Sequence, residues 1–198
     1  PKTSKYWSEV TNGVVVINPE VIAEQLEAAK AQVAAAKAAG KEILVVCEKK
    51  MYAEELEALA QKAGVAFLNY KVSGGFLTNF DTFKKRIDSI NEMVSFMETD
   101  AFASLTKKEQ LVYKRNFERA NKVYKGVTKL KKRPEVVIIV DGNMLSTLID
   151  EVENLKGKLE AIVIAGTNFS RYWPENEIIT TNINSYQSLE FVLKSILL

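Results

Sequence analysis

Apolar residues along the chain follow two alternating patterns. Short continuous runs rich in valine and isoleucine alternate with longer segments in which apolar residues recur every three or four positions. The runs are typical of strands buried on both faces, and the longer segments are typical of helices with one apolar face. We expect strands at Val14–Ile17, Glu42–Cys47, Val65–Asn69, Val136–Val140 and Ala161–Ala165, with a short edge strand at Ile178-Ile179.

Helices are predicted between these strands, at 19–39, 52–63, 145–155 and from Ser185 to the end of the chain. Asn18 and Pro19 are good residues for the start of the first helix, and Gly64 is a good residue to end the second. Strands that alternate with helices form a parallel sheet with helices on both faces. The sequence therefore predicts an α/β fold with a five-stranded parallel sheet, of the flavodoxin-like kind.

The central segment has a different period, because its apolar residues step alternately by three and four, as in a coiled coil. The first series is Phe80, Phe83, Ile87, Ile90, Val94 and Met97, and the second is Tyr113, Phe117, Ala120, Tyr124 and Val127. Thr106 and Glu109 have the spacing of a capping box at the start of the second helix. We expect an antiparallel α-helical hairpin over residues 80–130, inserted into an α/β domain made of residues 1–79 and 131–198.

The formal net charge of +2 hides a strong asymmetry. Residues 71–133 contain 15 basic and 7 acidic side chains, and residues 107–133 contain 11 basic and 2 acidic ones. A local basic excess on one element is the electrostatic pattern of a nucleic-acid-binding protein, although a solvated helix face has the same composition. We predict RNA-binding residues in and around the hairpin: Lys49, Lys50, Lys71, Gly74, Gly75, Thr78, Asn79, Lys84, Lys85, Arg86, Lys107, Lys108, Lys114, Arg115, Arg119, Lys122, Lys125, Lys129, Lys131, Lys132 and Arg133.

Other classes of function have weaker support. The chain has no histidine and one cysteine, Cys47, so no zinc site, other metal site, catalytic residue or cofactor is predicted. No apolar run reaches the ~20 residues of a membrane span, and a single cysteine fits a reducing, cytoplasmic compartment. The chain begins at Pro1 without a methionine, so we expect its natural start to lie upstream.

Three alternatives stay open for individual features. Gly74 and Gly75 follow a strand and precede a helix, where their N–H groups can approach a phosphate or simply form a tight turn. The turns at 141–143 and 166–168 follow strands, where a flavodoxin-like enzyme binds a phosphorylated small molecule, but ordinary turns have the same residues. The hairpin is also compatible with a protein-interaction module that docks on a partner helix.

Four motifs follow one another along nearly the whole chain. The first is the segment 71–80, Lys-Val-Ser-Gly-Gly-Phe-Leu-Thr-Asn-Phe, and the others are the Leu-Thr-Lys-Lys-Glu of 105–109, the passage from Leu130 to Asp141, and 161–164 with Thr167-Asn168. In this order they resemble the bacterial-type small-subunit ribosomal protein two family, and the first is similar to that family's Gly-Gly-x-Leu-Thr-Asn-Phe signature. The chain departs from the family at Gly166, where an aspartate is usual, at Tyr70, where a histidine is usual, and in lacking a segment upstream of Pro1.

The resemblance implies a role as a structural constituent of the small ribosomal subunit, bacterial or organellar, in translation and subunit assembly. It implies contacts with small-subunit ribosomal RNA, in its 3′ major and central domains. It also implies neighbouring small-subunit proteins as partners, including the large mRNA-binding protein one. No catalytic residue, cofactor or membrane contact follows from it.

Overall fold

The computed structural model describes all 198 residues, and strands and helices alternate along it as the apolar pattern predicts. The elements are β1 (Trp7–Thr11), β2 (Val14–Ile17), α1 (Pro19–Ala38), β3 (Ile43–Val46), α2 (Ala53–Ala63), β4 (Ala66–Leu68), α3 (Phe80–Met97), α4 (Asp100–Ala103), α5 (Lys107–Tyr124), β5 (Val136–Val140), α6 (Ser146–Asn154), β6 (Glu160–Ala165), β7 (Ile178–Thr180) and α7 (Tyr186–Leu197). None of the helices combines the length and the apolar character of a membrane-spanning segment.

Five parallel strands form the central sheet, in the order β4-β3-β5-β6-β7. Successive side chains of a strand point to opposite faces, so Val137 and Ile139 of β5 belong to one apolar cluster and Val136 and Ile138 to the other. Helices α1, α2 and α7 cover the second face, and α6 and the first turns of α3 cover the first. The predicted α/β class and five-stranded parallel sheet are confirmed.

The predicted membership of that sheet is wrong at one strand. Val14–Ile17 is a strand, but it pairs antiparallel with β1 in a separate two-stranded ribbon, and Val14 and Val16 are exposed. Asn12 and Gly13 form the turn between the two strands, both with positive φ (52° and 78°). An Asn-Gly pair with this backbone is the preferred connection of a tight β-hairpin. The fifth strand of the main sheet is β7, not Val14–Ile17.

The local signals at helix ends are confirmed. The Asn18 side chain accepts a hydrogen bond from the Glu20 N–H at 3.0 Å, and Pro19 is the first residue of α1. Gly64 ends α2 in the left-handed conformation (φ 69°), which glycine adopts without a steric penalty. Thr106 and Glu109 form the reciprocal capping box at the start of α5.

Helices α3 and α5 form a hairpin, which lies between β4 and β5 in the chain. The seam residues Phe80, Phe83 and Ile87 are buried near the sheet. Farther out the first predicted seam is wrong at Val94, which is 40 % exposed. Phe96 packs there instead, 5.9 Å from the ring of Phe102 and 5.2 Å from that of Tyr113 (centroid to centroid). Phe102 lies on the short helix α4, which fills the tip of the hairpin.

Candidate nucleic-acid interface

Helix α5 carries a continuous basic face opposite its apolar seam. Its seam residues are half-buried, whereas all its basic side chains from Lys107 to Lys122 are exposed. Residues three, four or seven positions apart lie on one helix face, and the steps from Lys108 to Arg115, Arg119 and Lys122 are seven, four and three. These four side chains form no ion pair with the rest of the chain. We call Lys108, Arg115, Arg119 and Lys122 the α5 basic face.

The other predicted cations fall into two groups. The first group is engaged in ion pairs: Lys49 with Asp141, Lys84 with Asp88, Lys125 with Glu57 and Lys132 with Glu135. The second group forms no ion pair within the chain: Lys50, Lys71, Lys85, Arg86, Lys107, Lys114, Lys129, Lys131 and Arg133. A carboxylate partner reduces what a cation can gain from an external phosphate, so the second group and the α5 basic face are the stronger candidates.

Three contacts fix the base of α5 to β4, α2 and α3. Gly126 lies two residues after the end of α5, and its Cα is so close to β4 that a Cβ atom there would be 2.1 Å from the Phe67 carbonyl oxygen. Lys125 pairs with Glu57 of α2, and the Asn91 amide donates to the Thr128 carbonyl oxygen at 3.2 Å. The base of the hairpin is therefore held at a defined angle to the rest of the chain.

The Gly-Gly loop before α3 is bound to the domain by a buried carboxylate. Glu151 of α6 is 6 % exposed, and its oxygens accept hydrogen bonds from the N–H groups of Gly75 (2.6 Å), Leu77 (2.7 Å) and Thr78 (3.1 Å). Of the two glycines whose N–H groups could approach a phosphate, Gly75 already donates its N–H to Glu151, and so does Thr78. RNA contacts predicted for Gly75 and Thr78 have to use other atoms, whereas Glu151 does not bind the N–H groups of Gly74 and Asn79.

Replacement of Glu151 with glutamine is expected to lower the free energy of unfolding by about 2 kcal/mol, because the amide accepts on one side only and leaves a buried N–H group without a partner. Glu153→Gln, on the same helix, is the matched control. It loses a half-exposed ion pair with Arg171 and is expected to cost less than about 1 kcal/mol. Urea denaturation of both variants measures the difference, and equal midpoints would contradict this role of Glu151.

A basic groove lies at the base of the hairpin. It has a volume of about 610 Å³ and lies between the first turns of α3, the segment before β5 and the turn after α6. Five cationic side chains line it against two carboxylates, those of Asp81 and Glu135. The cations are Lys84, Lys131, Lys132, Arg133 and Lys158. Sequence reasoning missed Lys158, since its local segment has no basic excess.

One of the groove's carboxylates is already neutralised. Glu135 pairs with Lys132 at 2.8 Å and accepts the Glu42 N–H at 3.1 Å, and these two contacts hold the pKa of Glu135 below its usual value. Arg133 is half-buried and has neither an ion pair nor a hydrogen bond to the rest of the chain. Pro134 restricts Arg133 to extended backbone conformations.

The alternative enzyme hypothesis places a ligand in a crevice at the carboxyl ends of the strands. Side chains fill that crevice. In this strand order the ligand position lies between the carboxyl ends of β3 and β5. Lys49 Nζ lies there, 3.0 Å from Asp141 Oδ2 and 3.1 Å from Asn184 Oδ1, and both charged side chains are less than 15 % exposed. A Cβ atom on Gly142 would lie 2.6 Å from the Phe169 ring. Lys49, predicted as an RNA contact, therefore has an internal structural partner.

Comparison with known proteins gives one consistent answer. The family model described as Ribosomal protein S2 matches residues 1–197. The chain is 31 % identical over 196 residues to the small ribosomal subunit protein uS2 of Francisella tularensis subsp. holarctica, a match that covers 98 % of this chain and 80 % of the relative. It is 30 % identical, with the same coverage, to the proteins of the same name from Francisella philomiragia subsp. philomiragia and Francisella tularensis subsp. novicida.

Proposed function

Because the chain belongs to the ribosomal protein S2 family, a family of the small ribosomal subunit, we propose that it binds small-subunit ribosomal RNA through the hairpin and the segment before β5. The observation that carries the proposal is the set of exposed, unpaired cations on one rigidly held element. Several cations with fixed spacing bind a phosphate backbone well, since each contact releases condensed counterions. Such contacts orient a protein on RNA without reading its sequence.

We propose a division of labour between two parts of the chain. Residues 1–79 and 131–198 form the rigid α/β domain, and residues 80–130 form an arm that reaches along the RNA. At ~1.5 Å per residue, an 18-residue helix such as α5 extends about 27 Å. This reach supports a role in holding separate RNA segments and neighbouring ribosomal proteins together during subunit assembly.

We propose further that the chain acts without a catalytic site. The filled crevice between β3 and β5 supports this, because the Lys49–Asp141 pair occupies the position at which related sheet topologies bind small molecules. The Lys49–Asp141 pair also accounts for the backbone conformation of Asp141. Its positive φ of 69° orients the carboxylate towards Lys49 and the Met144 N–H.

The proposal is tested by the salt dependence of RNA binding. We expect the affinity of the full chain for transcribed small-subunit ribosomal RNA to fall steeply between about 50 and about 200 mM salt. Replacement of Lys131, Lys132 and Arg133 with glutamine is expected to reduce the slope of log K against log salt by about two, because Lys132 is already paired with Glu135. A flat salt response, or a slope unchanged by the triple replacement, would contradict RNA binding by this segment.

A further inference from the structure

The basic groove at the base of the hairpin has more positive charge than its own carboxylates can balance. Lys131, Arg133 and Lys158 line it without an ion-pair partner, while Lys132 and Lys84 are paired with Glu135 and Asp88. Lysine and arginine side chains that converge on one concave surface repel one another unless an anion lies between them. The arrangement therefore points to an anionic ligand supplied from outside the chain.

We propose that this groove binds the sugar-phosphate backbone of one RNA strand, with Arg133 from the segment before β5 and Lys158 from the turn before β6 as direct phosphate contacts. The inference rests on the proposed RNA-binding function and deepens it, since it assigns a phosphate site to the α/β domain itself and adds a residue outside the basic region 71–133. Arg133 fits the role because a guanidinium can donate two parallel hydrogen bonds to a phosphate.

The position of Lys158 supports a direct contact. It lies in the turn between α6 and β6, next to Gly157, which adopts a positive φ of 81°. The Lys158 N–H donates to the Leu155 carbonyl oxygen at 2.9 Å, and Lys156 and Leu159 form a β-bridge across the turn. The backbone at Lys158 is thus fixed, and its side chain is exposed along the groove.

The lining of the groove also fits a polar ligand. Phe80 is its only apolar lining residue besides Pro134, and the rest of the lining is charged or hydroxylated. A surface of this composition stays hydrated and suits a polar, extended ligand better than an apolar one. Lys131 and Lys132, at the C-terminal end of the basic segment 107–133, line the same groove and would lie beside an RNA strand bound there.

The test compares two lysines in the same turn, Lys158→Gln and Lys156→Gln, in the full chain. Lys156 is also exposed but does not line the groove. On transcribed small-subunit ribosomal RNA, we expect Lys158→Gln to lower affinity by about 5- to 8-fold at ~0.1 M salt and to reduce the salt slope by about 0.7–0.9, one phosphate contact. Lys156→Gln is expected to leave both unchanged, and thermal unfolding should show that both variants fold.

The outcomes separate the groove from the general function. Salt-dependent binding that is lost with Arg133→Gln but unaffected by Lys158→Gln would overturn the shared phosphate site in the groove and leave the proposed function intact. Equal losses for Lys156→Gln and Lys158→Gln would overturn it too, because they would indicate diffuse attraction. If the wild-type chain fails to bind the RNA at all, the proposed function and the groove both fail.

Discussion

Replacement of Gly126 with alanine is expected to lower the free energy of unfolding by about 3 kcal/mol, at the upper end of the range for overpacking. The new Cβ atom would lie 2.1 Å from the Phe67 carbonyl oxygen and 2.7 Å from two of its ring carbons. Because the nearest atom belongs to the backbone of β4, a side-chain rotation cannot relieve the clash. Either the edge strand or the base of α5 has to move.

The sign of this effect is informative. Alanine in place of glycine normally stabilises a helical turn, since it reduces the conformational freedom of the unfolded chain. Gly126 lies in a single 3₁₀ turn that follows α5, so local propensity alone predicts a gain. Gly74→Ala is the control, because its Cβ atom would meet only the Thr147 methyl at 3.6 Å. Its stability should stay within about 0.5 kcal/mol of the wild type.

Urea denaturation of Gly126→Ala and Gly74→Ala measures both values on one scale. The slope of the unfolding free energy against urea should be the same in both, because the native surface stays nearly constant. If Gly126→Ala unfolds within about 0.5 kcal/mol of the wild type, the close approach of the hairpin base to β4 is wrong. A displaced base would also change the angle of α5 and weaken RNA binding without removing any cation.

The parts of the fold predicted correctly depend on contacts between residues close in sequence. Helix α1 begins after Asn18 and α5 after Thr106, because side-chain capping acts over two or three residues. The error at Val14–Ile17 had a local signal that was overlooked, the Asn12-Gly13 turn. An apolar run alone does not say which strand it pairs with, since pairing brings together residues distant in the sequence.

The sequence predicts which part of the chain is rich in basic residues, but not which of those residues lack an internal partner. A count of basic residues finds the hairpin, but it cannot separate Lys49, neutralised by Asp141, from exposed cations such as Lys71. Glu151 reaches the Gly-Gly loop from α6, and Lys158 reaches the groove from the next turn. Neither has a local sequence signal, because tertiary folding alone brings these residues together.

The largest effect on RNA binding is expected from neutralising the α5 basic face. Simultaneous replacement of Lys108, Arg115, Arg119 and Lys122 with glutamine removes up to four phosphate contacts. The slope of log K against log salt should fall by about three, and affinity should fall roughly a thousand-fold at ~0.1 M salt. Glutamine has nearly the helix propensity of lysine and arginine, and none of the four residues has an ion-pair partner, so the fold should be unaffected.

The control removes the same charge from the opposite face of the sheet, where α1, α2 and α7 lie. It replaces Lys30, Lys37, Lys62 and Lys194, all exposed, with glutamine. Both variants lose four positive charges, so long-range attraction to RNA falls by a similar amount and only direct contacts distinguish them. If RNA contacts the α5 basic face, the control keeps most of the wild-type slope. Equal slopes for the two variants would mean that the chain is attracted to RNA by its net charge alone and that α5 forms no specific phosphate contacts.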